Sequence, residues 1–314
     1  MFLTYFIFLL CLNNFAHGTF KKHLNIYDRL NKYNTKHPNI LEKGDESNIE
    51  NFSYDYSDPF GPRNWGRLSR NCDGNRQSPI NLPLGILKSR IGKPLTFSDF
   101  STTPKSIKVI NDGHSVKVEF NFPGNDEATI SGGPLVGKYK IDNVHWHWGE
   151  KDNCGSEHLL NGRRFSAELH IVTYDSRYST NSINDAVDKR NGIAVLGFFY
   201  ELTTSNRASD FPLTDKIQDV IEPESSCTET SDVFTFRDLI KSTRFDYLTY
   251  KGSLTTPTCD ETVTWIVSTN PLKISSNDLG ELRKLRDKRG NLILRNYRPI
   301  QSSKLRLVER YRST

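Results

Sequence analysis

Hydrophobic and polar positions change their pattern near Phe52. Downstream of this residue, short segments rich in β-branched and aromatic residues alternate with turn signals such as Asp112-Gly113 and Asn161-Gly162. Short strands bounded by such dipeptides are typical of mainly β proteins. The clearest strand candidates are Ser115–Phe120, Val144–Trp148, Ala167–Thr173, Ile193–Tyr200 and Thr262–Ser268. The pattern predicts one mainly β (α+β) domain of about 250 residues, with helices on its periphery.

Helical periodicity is confined to three short segments. These are Asp215–Ile221, Arg237–Lys241 and Ser276–Arg286. In the third segment Ser276 is the expected N-cap, and acidic Asp278 precedes basic Arg283. Because this order of charges suits a helix dipole, we expect a helix there.

The N-terminal residues predict a secretory signal. Met1–Leu12 is apolar but too short to cross a bilayer comfortably. Ala16 and Gly18 supply small residues at the −3 and −1 positions of a cleavage site. We expect residues 1–18 to be a cleaved signal peptide and the protein to be secreted and extracellular; an uncleaved anchor or a buried segment is the alternative. Residues 19–51 are polar and mixed in charge, and we expect an N-terminal extension there.

Composition excludes several classes of protein. Of the 314 residues, 35% are hydrophobic and 25% are charged, and the chain has no repeat and one apolar run. This excludes a collagen, a coiled coil and a multi-span membrane protein. The net charge of +5 is uneven, because residues 281–314 carry 11 Lys or Arg against 3 Asp or Glu. That excess favours a solvated basic C-terminal tail, residues 304–314, over a nucleic-acid-binding face.

The predicted secretion determines how the cysteines are interpreted. Cys11 leaves with the signal, and four remain: Cys72, Cys154, Cys227 and Cys259. An even number suits an oxidising compartment, but spacing alone cannot choose among three pairings. No two form a C-x-x-C motif, so a cysteine-based zinc site is not expected. Asn51-Phe52-Ser53 is a glycosylation sequon that fits a secreted glycoprotein.

A histidine constellation is the main candidate for chemistry. His145 and His147 flank Trp146 in a strand-like run, so their imidazoles point to one face of a sheet. His170 lies in another predicted strand, and Glu168 two residues earlier shares its face. A carboxylate in that position can hold the second nitrogen of a ligand histidine. Three imidazoles with one open position are typical of a catalytic zinc site.

Further motifs identify a resemblance that covers Phe52 to Gln301. They are QSPIN at 77–81, DGH at 112–114, HWHWG at 145–149, GSEH at 155–158, AELHIV at 167–172, GSLTTPTC at 252–259 and VTWIV at 263–267. In this order they make the chain resemble the alpha-class carbonic anhydrases of the secreted type, which are the standard example of a three-histidine zinc site. The resemblance implies a domain over residues 52–303, built as one large, mostly antiparallel twisted sheet with peripheral helices.

The resemblance also implies an activity and a cofactor. The expected enzyme is a lyase that hydrates carbon dioxide reversibly to bicarbonate and a proton, through attack by a zinc-bound hydroxide. Sulfonamides and anions are the expected inhibitors. His145, His147 and His170 would bind Zn2+, and Glu168 would orient one of them. Asn143 stands where the family usually has Gln, and we expect its shorter side chain to reach less well.

Substrate contacts follow from the same resemblance. The Thr255 hydroxyl would donate to Glu157 and accept from the bound hydroxide, while the Thr255 amide and Thr256 would contact the substrate. The family's apolar wall for carbon dioxide corresponds to Val172, Val195, Leu254, Val263 and Trp265. These five are equally suited to be ordinary core residues of strands.

Proton removal requires a group that titrates near neutral pH. His114 matches the family's proton shuttle, and Tyr54 is favoured over Tyr56 as the tyrosine on the water path. Asp112 and Lys117 place charges where efficient members often have neutral amides. His158 is expected to be structural.

The resemblance pairs Cys72 with Cys259, and it leaves Cys154 and Cys227 open. These two could pair with each other, pair between subunits or remain free. An alternative function, a noncatalytic carbonic-anhydrase-like binding or matrix protein, is disfavoured because all three zinc histidines are present. A third reading adds a contact between the basic tail and an acidic matrix, glycan or membrane surface; nucleic acid is not an expected partner. The oligomeric state is left open.

Overall fold

The computed structural model describes residues 46–85, 89–90, 94–124, 127–178 and 182–312. The predicted signal peptide and most of the predicted extension lie outside these residues. Contacts divide the chain into two compact units, residues 1–70 and residues 71–314, and each is described by itself. Among the described residues, no helix is both long and apolar enough to span a lipid bilayer.

The first unit, as far as it is described, is a small aromatic cluster with short helical turns. It contains 3-10 helices over Glu46–Asn51 and Pro62–Asn64 and helix α1 over Trp65–Leu68. Trp65 is fully buried, and its indole Nε1 donates to the carbonyl of Phe60 at 3.0 Å. The rings of Phe52 and Tyr54 contact that indole edge-on. These apolar rings are therefore what orders the start of the predicted domain.

The second unit is built on a large sheet, as predicted. Its described strands are β1 (Asn81–Leu82), β2 (Ser89–Arg90), β3 (Leu95–Ser98), β4 (Ser106–Asn111), β5 (Val116–Asn121), β6 (Thr129–Gly132), β7 (Lys138–Trp148), β8 (Leu159–Leu160), β9 (Ala167–Asp175), β10 (Ile193–Thr203), β11 (Ser226–Glu229), β12 (Tyr247–Gly252), β13 (Val263–Ser268), β14 (Leu272–Ser275) and β15 (Glu309–Tyr311). Thirteen of these form one sheet. Ten follow the path β11-β4-β5-β7-β9-β10-β13-β12-β15-β2, and β3, β6 and β14 pair off this path. On that path, only β10–β13 and β15–β2 pair in parallel. The mainly β, mostly antiparallel fold class is confirmed.

Helices of the second unit are short. Helices α2 (Phe236–Ile240) and α3 (Ser276–Leu282) accompany 3-10 turns over Arg70–Asp73, Ile183–Asp185, Asn206–Ala208 and Thr214–Val220. The predicted N-cap Ser276 is wrong by one residue. Ser275 caps α3, because its hydroxyl accepts from the amide of Asp278 while the Asp278 carboxylate accepts from the amide of Ser275. This reciprocal capping box satisfies two amides that the first turn leaves without partners.

Alternation along the strands creates two apolar cores, one on each face of the sheet. In β9, Leu169 and Ile171 point into a core that also contains Trp146 of β7. Val172 points into the opposite core, together with Val195. Because side chains alternate along a strand, His170 lies on the same face as Val172. The second core therefore adjoins the histidines.

The C-terminal segment is part of the sheet, which corrects the prediction of a solvated tail. Strand β15 pairs antiparallel with β12, with Tyr311 opposite Tyr247. The two tyrosine rings stack with centroids 5.0 Å apart, and Val308 is buried. An excess of basic residues is compatible with a strand because Arg310 bonds to Asp246 at 3.3 Å.

The disulfide between Cys72 and Cys259 is confirmed. Cys154 and Cys227 are both free thiols and partly buried, so the internal pair between them is not formed. The closed disulfide holds the segment after β12 against the segment that precedes β1.

Candidate metal centre

Strands β7 and β9 bring the three predicted zinc ligands together. His145 lies directly opposite His170 in the antiparallel register, and His147 lies opposite Glu168. One ligand nitrogen from each of His145, His147 and His170 lies within 4.8 Å of the others. Trp146, between the two β7 histidines, is fully buried on the other face. Side-chain alternation and strand pairing therefore produce the convergence that the motif predicts.

In each of these histidines, the ring nitrogen that points away from the other two rings donates to its own acceptor. His147 Nδ1 donates to the carbonyl of Asn296 at 2.7 Å, and His170 Nε2 donates to Glu168 Oε1 at 2.8 Å. His145 Nδ1 donates to Asn143 Oδ1 at 3.0 Å. The expectation that Asn143 reaches less well is wrong, since this is an ordinary hydrogen-bond distance. The remaining ring nitrogens are Nε2 of His145, Nε2 of His147 and Nδ1 of His170. Each keeps a lone pair that can bind a metal.

Burial favours the neutral form of His145 and His170. It lowers the pKa of His145 well below its usual value, and His147 and His170 lower it further. Burial also lowers the pKa of His170, with His147 acting in the same direction and Glu168 opposing. Burial alone would raise the pKa of Glu168, but His158 and His170 outweigh it and hold that pKa well below its usual range. Neutral His145 and His170 beside the Glu168 anion suit a divalent cation, because metal ligands must be deprotonated.

Glu157 supplies an unpaired buried oxygen next to this group. Its Oε1 accepts from the amide of Arg298 at 2.7 Å. Its Oε2 has no hydrogen-bond partner although the residue is fully buried, and it lies 3.6 Å from His147 Nε2. The predicted hydrogen bond from the Thr255 hydroxyl to this oxygen is therefore not formed. An orphaned carboxylate oxygen beside converging imidazoles fits a site that takes a cation and its polar ligand.

Thr255 is buried in a loop that is tied down at several points. The loop follows β12, and the carbonyl of Ser253 at its start accepts from the Trp265 indole at 3.0 Å. The amide of Leu254 donates to the carbonyl of Asp260 at 3.0 Å, and that of Cys259 donates to the carbonyl of Thr256 at 2.7 Å. With the disulfide at Cys259, these bonds fix the backbone around Thr255.

The predicted apolar wall lies on the face that carries His170. Val195 of β10 is in register with Val172 of β9 on one side and with Trp265 of β13 on the other. Val263 belongs to the same buried cluster, and Leu254 packs against it while remaining partly exposed. The wall therefore forms a continuous apolar surface across three neighbouring strands.

A buried chain of hydrogen bonds behind the histidines was not predicted. Glu168 Oε1 also accepts from His158 Nδ1 at 2.7 Å, and His158 Nε2 lies 2.7 Å from the Tyr250 hydroxyl. That hydroxyl lies 2.8 Å from Ser78 Oγ, which accepts from the amide of Ser253 at 3.1 Å. The chain connects a histidine ligand to the loop of Thr255. The motifs around 77–81 and 155–158 marked two of its members without showing that they meet.

Asn296 is a further residue that sequence analysis missed. Its Nδ2 donates to the carbonyl of Trp146 at 2.9 Å, and its Oδ1 accepts from the amide of Trp148 at 2.7 Å. The backbone carbonyl of Asn296 also accepts from His147 Nδ1. These three contacts hold the end of β7 in place. No motif surrounds Asn296, so the sequence carried no signal for this role.

His114 lies in the turn between β4 and β5 and is partly buried. Its amide donates to Asp112 Oδ1 at 2.9 Å, and its carbonyl accepts from Asn296 Nδ2 at 3.2 Å. Lys117 is in register opposite His145. Tyr54 is buried in the first unit beside Phe52. The roles of His114 and Tyr54 in proton transfer stay predictions.

Comparison with known proteins agrees with this geometry. The family model described as eukaryotic-type carbonic anhydrase matches residues 60–312. The chain is similar to carbonic anhydrase 7 of Mus musculus, at 37% identity over 265 residues, which is 81% of this chain and 95% of that protein. Carbonic anhydrase 7 of Homo sapiens shows the same identity and the same coverage.

Proposed function

The chain belongs to the eukaryotic-type, alpha-class carbonic anhydrase family, and we propose from this premise a role for each part of its metal centre. The enzyme is a lyase that uses zinc to hydrate carbon dioxide reversibly to bicarbonate and a proton. The observation that carries this conclusion is the convergence of one ring nitrogen from each of His145, His147 and His170 within 4.8 Å of one another. The family match reaches residue 312, so the catalytic domain that we propose extends from residue 52 through strand β15.

We assign zinc to His145 Nε2, His147 Nε2 and His170 Nδ1. Three protein ligands leave one position for water, as in catalytic rather than structural zinc sites. Zinc bound there lowers the pKa of its water to near neutrality and so supplies a nucleophile. Glu168, His158 and the carbonyl of Asn296 hold the rings in the required tautomers.

Thr255 and Glu157 are proposed to orient the reacting oxygen. The buried Oε2 of Glu157 has no partner, and a carboxylate can only accept. The Thr255 hydroxyl does not donate to this oxygen in the structure. We propose that it does so once zinc and its water are bound, which leaves the lone pairs of Thr255 to accept from the nucleophile. The amide of Thr255 is then placed to donate to a substrate oxygen, with Thr256 beside it.

Carbon dioxide is proposed to rest against the wall of Val172, Val195, Leu254, Val263 and Trp265. The substrate is linear, apolar overall and uncharged, so it gains nothing from hydrogen-bonding side chains in its resting position. A dry surface next to the histidines excludes competing water from that position.

Proton transfer to solvent is assigned to His114, with Tyr54 on the water path. Replacement His114→Ala should lower turnover in weak buffer and leave it nearly normal in concentrated imidazole buffer. Tyr54→Phe should alter the buffer dependence more than Tyr56→Phe does. Unchanged turnover of His114→Ala without added buffer would reject the assignment.

The decisive experiment is stopped-flow hydration of carbon dioxide by purified protein of measured zinc content. We expect activity proportional to zinc, and its loss on addition of a chelator or a sulfonamide. A noncatalytic binding protein, the alternative class, would show no hydration at full zinc occupancy.

Secretion is proposed from the predicted signal at residues 1–18. A disulfide between Cys72 and Cys259 supports an oxidising compartment. Asn51 is exposed at the end of its 3-10 helix, which supports glycosylation there. Expression in a secreting host should yield a chain that begins at Thr19 and carries a glycan on Asn51; intact-mass analysis checks both.

A second candidate function is adhesion of the C-terminal residues to an acidic surface. Arg306 donates to the carbonyl of Lys251 at 3.3 Å, and burial, followed by Arg190 and Arg76, lowers the pKa of Lys251. These nearby cations form a basic patch. Leu305 is fully exposed and Leu307 is 65% exposed, which favours a membrane over a glycan.

Because β15 is paired in the sheet, substitution tests this candidate better than truncation. A triple variant, Lys304→Gln with Leu305→Ser and Leu307→Ser, should lose binding to phosphatidylserine-containing vesicles. Leu202→Ser, which changes another exposed leucine, is the control. The membrane proposal would be rejected if the triple variant bound the vesicles as well as the wild type does, or if the wild type bound heparin but not the vesicles.

A further inference from the structure

Each of the three histidines donates from its second ring nitrogen to one acceptor. These acceptors differ in whether the same group could also donate to the ring. His147 faces a backbone carbonyl and His170 faces a carboxylate, and neither group can turn a donor towards the ring. His145 alone faces a side-chain amide, that of Asn143. An amide has an accepting end and a donating end, so a half-turn would offer His145 the wrong one.

A second contact holds this amide in one orientation. Asn143 Nδ2 donates to Asp142 Oδ2 at 2.6 Å. A carboxylate cannot donate, so the end of the amide that faces Asp142 must be its NH2 group. The other end, Oδ1, is thereby directed at His145 Nδ1.

An irregularity in strand β7 makes the contact available. The pairing of β7 with β9 shifts between Ile141, opposite Thr173, and Asn143, opposite Val172, so Asp142 is an extra residue in the strand. Neighbouring side chains of a regular strand point to opposite faces and do not meet. A bulge changes that alternation, and it brings the side chains of Asp142 and Asn143 together.

We propose that Asp142 is a positioning residue of the metal centre: its carboxylate orients the Asn143 amide, which keeps the His145 proton on Nδ1 and its Nε2 lone pair free for zinc. The inference rests on the proposed function, since it takes His145 as a zinc ligand. With the amide reversed, Nδ1 would have to accept, the proton would move to Nε2, and the ligand atom would be blocked. Asp142 thus acts through Asn143 and touches neither metal nor substrate.

The chain provides a matched control for the charge of Asp142. Burial raises the pKa of Tyr174, and Glu127 and Asp142 raise it further, so both carboxylates lie near this tyrosine. Glu127 pairs with Lys140, whereas Asp142 accepts from Asn143. Glu127→Gln therefore removes one negative charge from the same neighbourhood and leaves the amide contact intact.

The test combines zinc affinity with a direct reading of the tautomer. Zinc dissociation constants come from competition with a chelating dye, and the His145 tautomer comes from long-range 1H–15N spectra of the zinc-free full chain. We expect Asp142→Ala to weaken zinc binding about 3- to 10-fold, less than the 10- to 100-fold typical when a direct partner of a ligand is lost. Its His145 should show a mixture of tautomers. Asp142→Asn, which keeps an accepting oxygen, should recover part of both signals.

A double-mutant cycle separates positioning from simple charge. In an Asn143→Ala background, Asp142→Ala should have no further effect on zinc affinity, and Glu127→Gln alone should change it less than about twofold. The proposal is overturned if Asp142→Ala leaves the His145 tautomer and zinc affinity unchanged, if its effect persists without Asn143, or if Glu127→Gln weakens zinc equally. A wild-type chain that does not bind zinc would instead refute the proposed function.

Discussion

The metal centre has two halves that are built by different forces. We propose that the polar half consists of the three histidines with Glu157 and Thr255, and that the apolar half consists of Val172, Val195, Leu254, Val263 and Trp265. Polar members depend on partners far along the chain, such as Asn296, 149 residues from His147. The core of the apolar half depends on register between adjacent strands, as for Val195 beside Val172.

This difference predicts which half of the metal centre tolerates amino-acid substitution. A hydrogen bond has one good geometry, and a buried group that loses its partner keeps its desolvation cost. Apolar contacts are many and individually weak, so a wall can absorb a conservative change. We therefore expect the polar half to fail when one member is lost and the apolar half to respond in proportion to volume.

The largest effect should follow removal of a zinc ligand. His147→Ala should abolish stoichiometric zinc binding and lower hydration activity more than about 100-fold, since loss of a ligand's outer partner alone typically costs 10- to 100-fold. Metal analysis beside stopped-flow kinetics checks this. Retention of zinc and activity would contradict the ligand assignment.

The disulfide should rank next, because its loop carries Leu254 and Thr255, one member of each half. A Cys72→Ser and Cys259→Ser double variant should lose about 2–5 kcal/mol of unfolding free energy. Urea unfolding measures it. Cys154→Ser, a change at a free thiol, is the control and should unfold like the wild type.

The substitution Glu168→Gln tests how strongly the polar half depends on a single charge. The variant keeps the shape of the side chain but removes the charge that His158 and His170 share, so zinc affinity should fall about 10- to 100-fold. Chelator competition gives the constant. Glu119→Gln, at a partly exposed acid on β5 that pairs with Lys117, should bind zinc as the wild type does. Equal losses in both variants would point to a general charge effect.

Val195→Phe tests the apolar half. The larger ring should fill space beside the histidines and lower kcat/KM about tenfold, or about 1.4 kcal/mol, with zinc content unchanged. Val195→Ile, a smaller increase, should cost less. If zinc is lost together with activity, the two halves are not separable.

The last effect concerns pH and is spread over several pH units. Burial lowers the pKa of His145 and His170 below the 6.5 of the unfolded chain, so below pH 6.5 the unfolded state binds more protons and the zinc-free protein loses stability. The pKa of Glu168 is also lowered, which adds a second loss below pH 4.5. Each group contributes at most about 1.4 kcal/mol per pH unit. Urea unfolding from pH 8 to pH 5 measures the first window, and His145→Gln with His170→Gln should flatten it.

Local pattern in the sequence was enough for the candidate histidines and for the individual strands, while the resemblance supplied the large sheet. His145 and His147 share a face because strand side chains alternate, and this holds wherever the strand is placed. The same alternation put Val172 on the face of His170. Segments such as Ile193–Tyr200 became strand β10, extended to Thr203, because β-branched and aromatic residues favour that conformation.

Other features depended on contacts that no local pattern encodes. Asn296 meets β7 only after the sheet has formed, and the bulge at Asp142 lets a short Asn143 reach His145. Basic residues near the C-terminus suggested a solvated tail, yet β15 pairs with β12 because backbone hydrogen bonds and stacked tyrosines are gained there. Sequence alone determined which side chains could bind a metal and which face they occupy. Tertiary structure decided which acceptors hold their tautomers, because hydrogen bonds between distant residues exist only in the folded chain.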